Sequence, residues 1–170
     1  SKQRLLNKSV NASTAYIAIE PLSEKWPPLK AGQASAGPFY LVWKNPELSQ
    51  IGPEEWPFML SGFEVKGTLE TVYPKIFPDA KIAKNSRVDK GLNLFVKNCF
   101  ACHTMNKSGL SQIGPDLNLP MSPTEYLRDP TLKKLIRNPQ DVRHWPNSKM
   151  TGFNKETLSD DELNNLISYL

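Results

Sequence analysis

The chain has 170 residues, 39% hydrophobic and 22% charged, a composition typical of a soluble globular protein rather than a disordered one. Its formal net charge is only +4 and it has no run of Lys and Arg, so no nucleic-acid partner is expected. No apolar stretch approaches the roughly 18 residues that span a bilayer, so no transmembrane segment is expected. Ser1–Val10 contains basic residues without a following apolar core, so we expect no signal peptide there.

The first half, residues 1–83, predicts a small β-rich or irregular module. Short extended runs alternate with turns rich in proline and glycine. Aromatic and β-branched residues, or partial apolar–polar alternation, predict strands at Ala15–Glu20, Pro38–Trp43 and Gly62–Tyr73. A sheet of about three or four strands is marginal alone, so we expect this module to pack on the second half or to belong to a larger sheet.

The second half, residues 84–170, predicts an all-α domain, which makes the chain as a whole α+β. Its apolar residues recur at helical spacing after polar residues that can cap a helix. Two of these starts are capping boxes, in which a serine is followed three residues later by a glutamate. The expected helix starts lie at Ser86, Ser122, Asp129 and Ser159.

The residues that carry chemistry are Cys99, Cys102 and His103, which form a C-x-x-C-H motif and include both cysteines of the chain. Two thiols one helical turn apart can each form a thioether to a haem vinyl group. The adjoining imidazole can then bind one face of the iron. The motif predicts one covalently attached haem c.

Three other interpretations of the motif stay open. A thioredoxin-like pair needs a βαβ setting, whereas this pair ends a predicted helix. A zinc site needs four ligands, and only His144 could join the three residues of the motif. A structural disulfide between Cys99 and Cys102 leaves His103 unexplained.

A haem in an electron carrier usually has a second axial ligand. The candidates are Met59, Met105, Met121, Met150 and His144. Met105 follows His103 too closely to reach the opposite face, and Met59 lies in the other module. We favour Met150, which stands in a loop just before the last predicted helix, with His144 as the alternative.

Residues 84–170 resemble a class I cytochrome c domain. Gly91 and Phe95, upstream of Cys99, resemble the first helix of that fold. The resemblance implies that they pack against an aromatic residue of the last helix, and Tyr169 is the matching residue.

Three further segments carry the same resemblance. Ile113–Leu117 is similar to the family's G-P-x-L loop, which implies that the Pro115 carbonyl accepts a hydrogen bond from His103 Nδ1. Lys149–Phe153 is similar to the loop that carries the methionine ligand, and Leu158–Leu170 to the terminal helix.

The first half resembles an N-terminal extension of some bacterial cytochromes c, which looks like a remnant of a sulfite-oxidase-type molybdopterin domain. The resemblance rests on Trp26–Leu29, Ala36–Trp43 and Glu55–Pro57. In the parent enzymes a cysteine thiolate binds molybdenum. Both cysteines here belong to the haem motif, so no molybdenum site is expected. The resemblance also implies that further sequence precedes Ser1.

The leading hypothesis is a monohaem c-type cytochrome that passes single electrons, not an enzyme. Its partner would be a periplasmic dehydrogenase, a reductase or an oxidase. Covalent haem attachment implies a location in the periplasm or on the outer face of a membrane. Two alternatives stay open, a haem subunit fixed within a larger complex and an open-site haem enzyme or sensor. Candidate residues of the haem pocket wall are Phe95, Phe100, Leu117, Tyr126, Leu135, Trp145 and Phe153.

Overall fold

The structure, a computed structural model, describes residues 12–170. The chain forms two compact units that divide between Thr68 and Leu69. Ser1–Val10, where we expect no signal peptide, lies outside the described residues. Across residues 12–170, none of the helices is both long and apolar enough to cross a membrane.

The N-terminal unit contains a two-stranded antiparallel sheet. Strand β1 (Thr14–Ile19) pairs with β2 (Phe39–Lys44) so that Thr14 lies opposite Lys44 and Ile19 opposite Phe39. Both strands are rich in aromatic and β-branched residues, which fit a pleated, half-buried surface. Two of the three strands expected from the sequence are therefore confirmed.

The third expected strand, Gly62–Tyr73, is wrong. Residues 61–68 are exposed and have no regular structure, and helix α1 (Leu69–Val72) follows them. Phe63 and Val65, which suggested a buried strand face, are 69% and 87% exposed. Leu69 and Tyr73 lie one helical turn apart, because the Tyr73 N–H donates to the Leu69 carbonyl at 2.8 Å, and both pack against the same core. Phe63 and Val65 are thus in solvent, whereas Leu69 and Tyr73 pack against the core, so these residues do not form one face of a strand.

The second unit, Leu69–Leu170, is helical, and the four helices predicted for it are confirmed. Ser86 caps the first of them, accepting a hydrogen bond from the Asp89 N–H at 3.2 Å. Capping boxes at Ser122 and Ser159 start two others. The helices are α2 (Arg87–Asn98), α3 (Pro123–Tyr126), α4 (Asp129–Arg137) and α5 (Asp160–Tyr169).

The core of the second unit forms where α2 crosses α5. Gly91 allows the crossing, because a Cβ at that position would lie 2.6 Å from Tyr169 Cβ. The rings of Phe95 and Tyr169 are 5.3 Å apart, so the contact implied by the family resemblance is confirmed. Burial raises the pKa of Tyr169, whose neutral hydroxyl donates to the Ile76 carbonyl at 2.6 Å. The buried apolar side chains of this core are Ile76, Leu92, Phe95, Met105, Leu132, Ile136, Leu158, Leu163 and Leu166.

The division between the units falls earlier in the chain than the boundary predicted between residues 83 and 84. Ile76 is 1% exposed within the core of the second unit, and Tyr73 and Phe77 pack against that core. Asn106 Nδ2 also donates to the Lys75 carbonyl at 2.8 Å. Residues 73–77, which the sequence analysis placed in the first half, are therefore part of the helical unit.

Candidate functional site

The C-x-x-C-H motif forms one tight turn at the end of α2. Cys99 directly follows the last residue of the helix and caps it, with its N–H donating to the Phe95 carbonyl at 2.8 Å. The Cys99 carbonyl in turn accepts from the N–H groups of Cys102 and His103 at 3.0 and 2.8 Å. The two thiols and the imidazole are thus held on a single turn, and Cys99 and Cys102 are both half-buried.

The imidazole of His103 has a fixed orientation. Its Nδ1 lies 2.8 Å from the carbonyl oxygen of Pro115, the contact that the family resemblance implied. A carbonyl can only accept, so Nδ1 carries a proton, and in the neutral imidazole the lone pair is then on Nε2. Gly114 lies beside the ring, and a Cβ there would be 2.5 Å from His103 Cε1. The direction in which Nε2 points is therefore fixed.

Two backbone hydrogen bonds join the end of the motif to the loop that contains Pro115. The Gly114 N–H donates to the Cys102 carbonyl at 2.8 Å, and the Leu117 N–H donates to the Thr104 carbonyl at 2.9 Å. These bonds flank the contact between His103 and Pro115 on both sides. The orientation of the imidazole therefore depends on a paired loop as well as on the Pro115 carbonyl.

Asp116 is the polar residue of this loop that sequence analysis missed. Its half-buried carboxylate accepts the Thr104 hydroxyl at 2.8 Å and the Lys107 N–H at 2.7 Å, together with three further N–H groups. Burial by itself raises the pKa of Asp116, but the hydrogen bonds outweigh burial and lower the pKa below its usual value. The sequence signal was its position directly after Pro115 in the G-P-x-L loop.

Met150 lies in the loop between α4 and α5, half-buried and packed against the core of the second unit. Arg137, at the end of α4, holds the following segment, donating to the carbonyls of Phe153 and Asn154 at 3.0 and 3.1 Å. The same side chain donates to Asp160 Oδ1 at 2.8 Å, a contact that fixes the start of α5. Sequence analysis also missed Arg137, because its partners are carbonyls that no sequence pattern marks.

The other candidates for a second axial ligand occupy different environments. Met105 is 4% exposed and belongs to the apolar core, whereas Met121 is 50% exposed. His144 is exposed, and Met59 lies in the N-terminal unit. Met150 thus differs from the rest in being partly covered by the core while standing on a loop of the helical unit.

The residues expected to line a haem pocket are divided between core and surface. Phe95 is fully buried, and its ring lies 5.5 Å from that of Phe100. Phe100, Leu117 and Phe153 are half-buried against the core, and Leu135 is half-buried. By contrast, Tyr126 and Trp145 are 48% and 59% exposed, and the Trp145 ring stacks with the Arg143 guanidinium at 5.0 Å.

The N-terminal unit has a separate polar cluster around the buried Glu20. Its carboxylate accepts from Lys25 Nζ at 2.7 Å, from the Trp26 N–H at 2.9 Å and from the Ser35 hydroxyl. The hydrogen bond from Lys25, followed by that from Ser35, lowers the pKa of Glu20 to about 2. Within residues 12–170, no buried side-chain nitrogen or oxygen lacks a hydrogen-bond partner. We therefore assign Glu20 a structural role.

The donor set of the helical unit fits a haem. A c-type haem needs two thiols one turn apart, an imidazole with a free Nε2 lone pair, and apolar surroundings. The turn after α2 supplies the two thiols and the imidazole. The core, with Phe100 and Leu117 packed against it, supplies the apolar surroundings. In the described part of the chain, no group of three or more His, Cys, Asp or Glu side chains could hold a bare metal ion.

Residues 88–170 match the family described as Cytochrome c. This match supports a cytochrome c domain in this part of the chain, and the matched family is one of haem-based electron carriers with a covalently attached c-type haem. No curated protein and no solved structure matches the chain. The resemblance of residues 1–83 to a molybdopterin domain stays a prediction.

Proposed function

We propose that the chain is a monohaem c-type cytochrome that passes single electrons between periplasmic redox partners through a haem ligated by His103 and Met150. The observation that carries the proposal is the C-x-x-C-H turn, whose imidazole is already oriented by the Pro115 carbonyl at 2.8 Å. The match of residues 88–170 to the Cytochrome c family also supports it.

Each protein group has a defined task in this proposal. Cys99 and Cys102 would hold the haem through thioether bonds, in which each S–H adds across the C=C bond of a haem vinyl group and no group leaves. His103, through the lone pair of Nε2, and Met150, through its thioether sulfur, would ligate the iron. When bound, the haem supplies the one-electron change between ferric and ferrous iron, so one electron is taken from a donor and passed to an acceptor.

The apolar core has a second task, because burial limits the access of water and exogenous ligands to the site. Phe95 lies on α2, one helical turn before Cys99, and is part of the core. Phe100 lies within the motif and packs against the core. A methionine ligand favours the ferrous state relative to a second histidine ligand. An apolar setting also favours the ferrous state. We therefore expect a higher reduction potential than His144 ligation would give.

We propose a carrier rather than an enzyme because ligation by both His103 and Met150 would leave no position on the iron for a substrate. A substrate such as peroxide or a nitrogen oxide needs an open position on the iron. The chain has only one further histidine, His144, and it lies on an exposed loop. The sequence contains two cysteines in a single motif, which supports one haem per chain.

The proposed location is the periplasm or the outer face of a membrane, because haem attachment of this kind is expected outside the cytoplasm. The proposed partner is a redox protein, namely a dehydrogenase, a reductase or an oxidase. We also propose that residues 1–83 derive from a sulfite-oxidase-type domain and provide a docking surface, on the strength of the resemblance of Ala36–Trp43. A stable partner that co-purifies would favour a subunit of a larger complex over a free shuttle.

The experiment that tests haem attachment uses three proteins made with a working haem-attachment system. These are the wild-type chain, Cys99→Ser with Cys102→Ser, and Met121→Leu as a control at an exposed methionine. Haem staining of a denaturing gel and the intact mass are measured. We expect one covalent haem in the wild type and the control and none in the double variant. A wild-type chain without covalent haem would contradict the proposal.

A further inference from the structure

The Asp116 carboxylate is the most heavily hydrogen-bonded side chain near the His103 ligand. Oδ2 accepts from the Thr104 hydroxyl at 2.8 Å and the Lys107 N–H at 2.7 Å. Oδ1 accepts from the N–H groups of Asn106, Asn118 and Leu119 at 3.2, 2.9 and 2.8 Å. Five donors on one carboxylate leave little of its acceptor capacity unused.

These donors come from two segments that meet at His103. Thr104, Asn106 and Lys107 follow His103 directly, whereas Asn118 and Leu119 follow Pro115. The carboxylate therefore ties the segment after the ligand to the segment after its hydrogen-bond acceptor. Thr104 directly follows His103, and Asp116 directly follows Pro115. The hydrogen bond from the Thr104 hydroxyl to Asp116 therefore lies next to the contact of His103 with Pro115.

The backbone of the tied segment needs such a partner. Asn106 and Lys107 have φ values of 55° and 58°, in the left-handed region that residues with a side chain adopt at a cost. Their two N–H groups point to the same carboxylate, as in a backbone nest that binds an anion. Asp116 thus stabilises a turn that the chain would otherwise disfavour.

We propose that Asp116 is a positioning residue for the proximal ligand. It holds the two segments so that the Pro115 carbonyl stays directed at His103 Nδ1, and in this way it sets how strongly Nε2 donates to the iron. This inference rests on the proposed function, because it concerns the ligand of a bound haem.

The expected effect on the haem follows from the hydrogen bond. A strong bond from Nδ1–H to a carbonyl makes the imidazole a more basic ligand, which stabilises ferric iron. Loosening the bond weakens that donation, so the reduction potential should rise. Loss of the negative charge of Asp116 also raises the reduction potential. The effect of this charge therefore has to be separated from the effect of Asp116 on the position of the Pro115 carbonyl.

Two variants separate the two effects in the haem-loaded full chain. Asp116→Asn removes the charge and replaces one acceptor oxygen with an N–H₂ group that faces donors. Thr104→Val removes the single bond to the Thr104 hydroxyl, keeps the shape of that side chain and leaves the Asp116 charge in place. Glu162→Gln is the control, because Glu162 accepts the Ser159 N–H at 2.8 Å in the capping box of α5. It removes a carboxylate acceptor of a backbone N–H outside this loop.

Three quantities are measured for each protein: covalent haem on a denaturing gel, the midpoint reduction potential, and the solvent exchange of the His103 Nδ1 proton in the reduced state by NMR. We expect full haem attachment in all four proteins. We expect a more positive potential and at least about tenfold faster exchange in Asp116→Asn, and a smaller change of the same sign in Thr104→Val. Glu162→Gln should lower the midpoint of unfolding and leave the potential and the exchange unchanged.

The outcomes distinguish the inference from the function. If the wild-type chain carries no haem, the proposed function fails and the positioning role fails with it. If haem is attached but the potential and the exchange in Thr104→Val equal those of the wild type, the inference is overturned and the function stands. A change in Glu162→Gln as large as that in Asp116→Asn would also overturn it, because general loss of stability would then explain the effect.

Discussion

The ring of His103 lies so close to Gly114 that a Cβ on this glycine would be 2.5 Å from Cε1 and 2.6 Å from Nδ1. Real Cβ atoms do not approach a ring to these distances, so the imidazole can hold its position only if residue 114 has no side chain. The glycine before Pro115 therefore helps to orient the His103 ring, together with the Pro115 carbonyl that contacts Nδ1.

Replacing this glycine tests that relationship. In Gly114→Ala the new methyl group must displace the imidazole or the loop, and either shift lengthens the bond from Nδ1 to Pro115. We expect a lower yield of covalent haem and a more positive potential in the haem-bearing fraction, measured by haem staining and redox titration. Gly62→Ala is the control, because nothing lies within 4 Å of a Cβ at that position. Wild-type yield and potential in Gly114→Ala would show that the ring is not confined as described.

The crossing of α2 and α5 predicts a stability effect without a ligand effect. In Gly91→Ala the added Cβ would lie 2.6 Å from Tyr169 Cβ and closer still to the Asn165 carbonyl, which is backbone and cannot rotate away. We expect the two helices to separate slightly, at a cost of roughly 1–3 kcal/mol in the free energy of unfolding. Denaturant unfolding followed by circular dichroism measures it. A loss no larger than in Gly62→Ala would contradict the packing.

The helices of the second unit could be predicted from the sequence, because their signals are local. The capping residues Ser86, Ser122 and Ser159 each lie within three residues of the N–H group that they accept. The C-x-x-C-H motif is likewise a single run of five residues. The contact between Gly91 and Tyr169 joins residues far apart in sequence, and only the family resemblance implied it. The alternation of apolar and polar residues also led to the wrong prediction of a strand at Gly62–Tyr73. Whether Phe63 and Val65 are buried depends on the packing of the whole unit, which a local pattern does not contain.

The polar contacts of the site were the least predictable part. Asp116 binds donors on both sides of a loop, and backbone N–H groups look alike in every sequence. Arg137 binds the carbonyls of Phe153 and Asn154, sixteen and seventeen residues away. Such contacts depend on how loops fold back, which no periodicity or spacing encodes.

The proposed ligation of the iron by Met150 predicts a change of ligand class on substitution. In Met150→His the thioether gives way to a second imidazole, which favours ferric iron. We expect the methionine–iron charge-transfer band of the ferric protein to disappear and the reduction potential to fall, by absorption spectroscopy and redox titration. Met121→Leu, at an exposed methionine, should change neither quantity. If the band persists in Met150→His, another residue is the ligand.

Glu20 predicts an acid dependence of the stability of the N-terminal unit. Its pKa falls from 4.5 to about 2 on folding, so the ionised carboxylate stabilises the folded state above about pH 4.5. That contribution is lost as the pH falls from about 4.5 to about 2, because both folded and unfolded forms are then protonated. Denaturant unfolding of the unit, followed by tryptophan fluorescence across this range, measures it.

The matched variants for this acid dependence are Glu20→Gln and Glu24→Gln, the second at an exposed carboxylate. We expect Glu20→Gln to be less stable than the wild type near neutral pH and to approach it as the pH falls. Glu24→Gln should follow the wild type at every pH. A constant difference between Glu20→Gln and the wild type from about pH 5 to about pH 2 would show that the Glu20 charge does not provide the stabilisation.

The absorption spectrum of the purified protein tests the central claim most directly. It is recorded in the oxidised state, after reduction, and after addition of carbon monoxide. An electron carrier ligated by His103 and Met150 gives sharp low-spin bands when reduced, a methionine–iron charge-transfer band when oxidised, and no response to carbon monoxide. A high-spin spectrum that shifts with carbon monoxide would contradict the account, because it would show an open iron site.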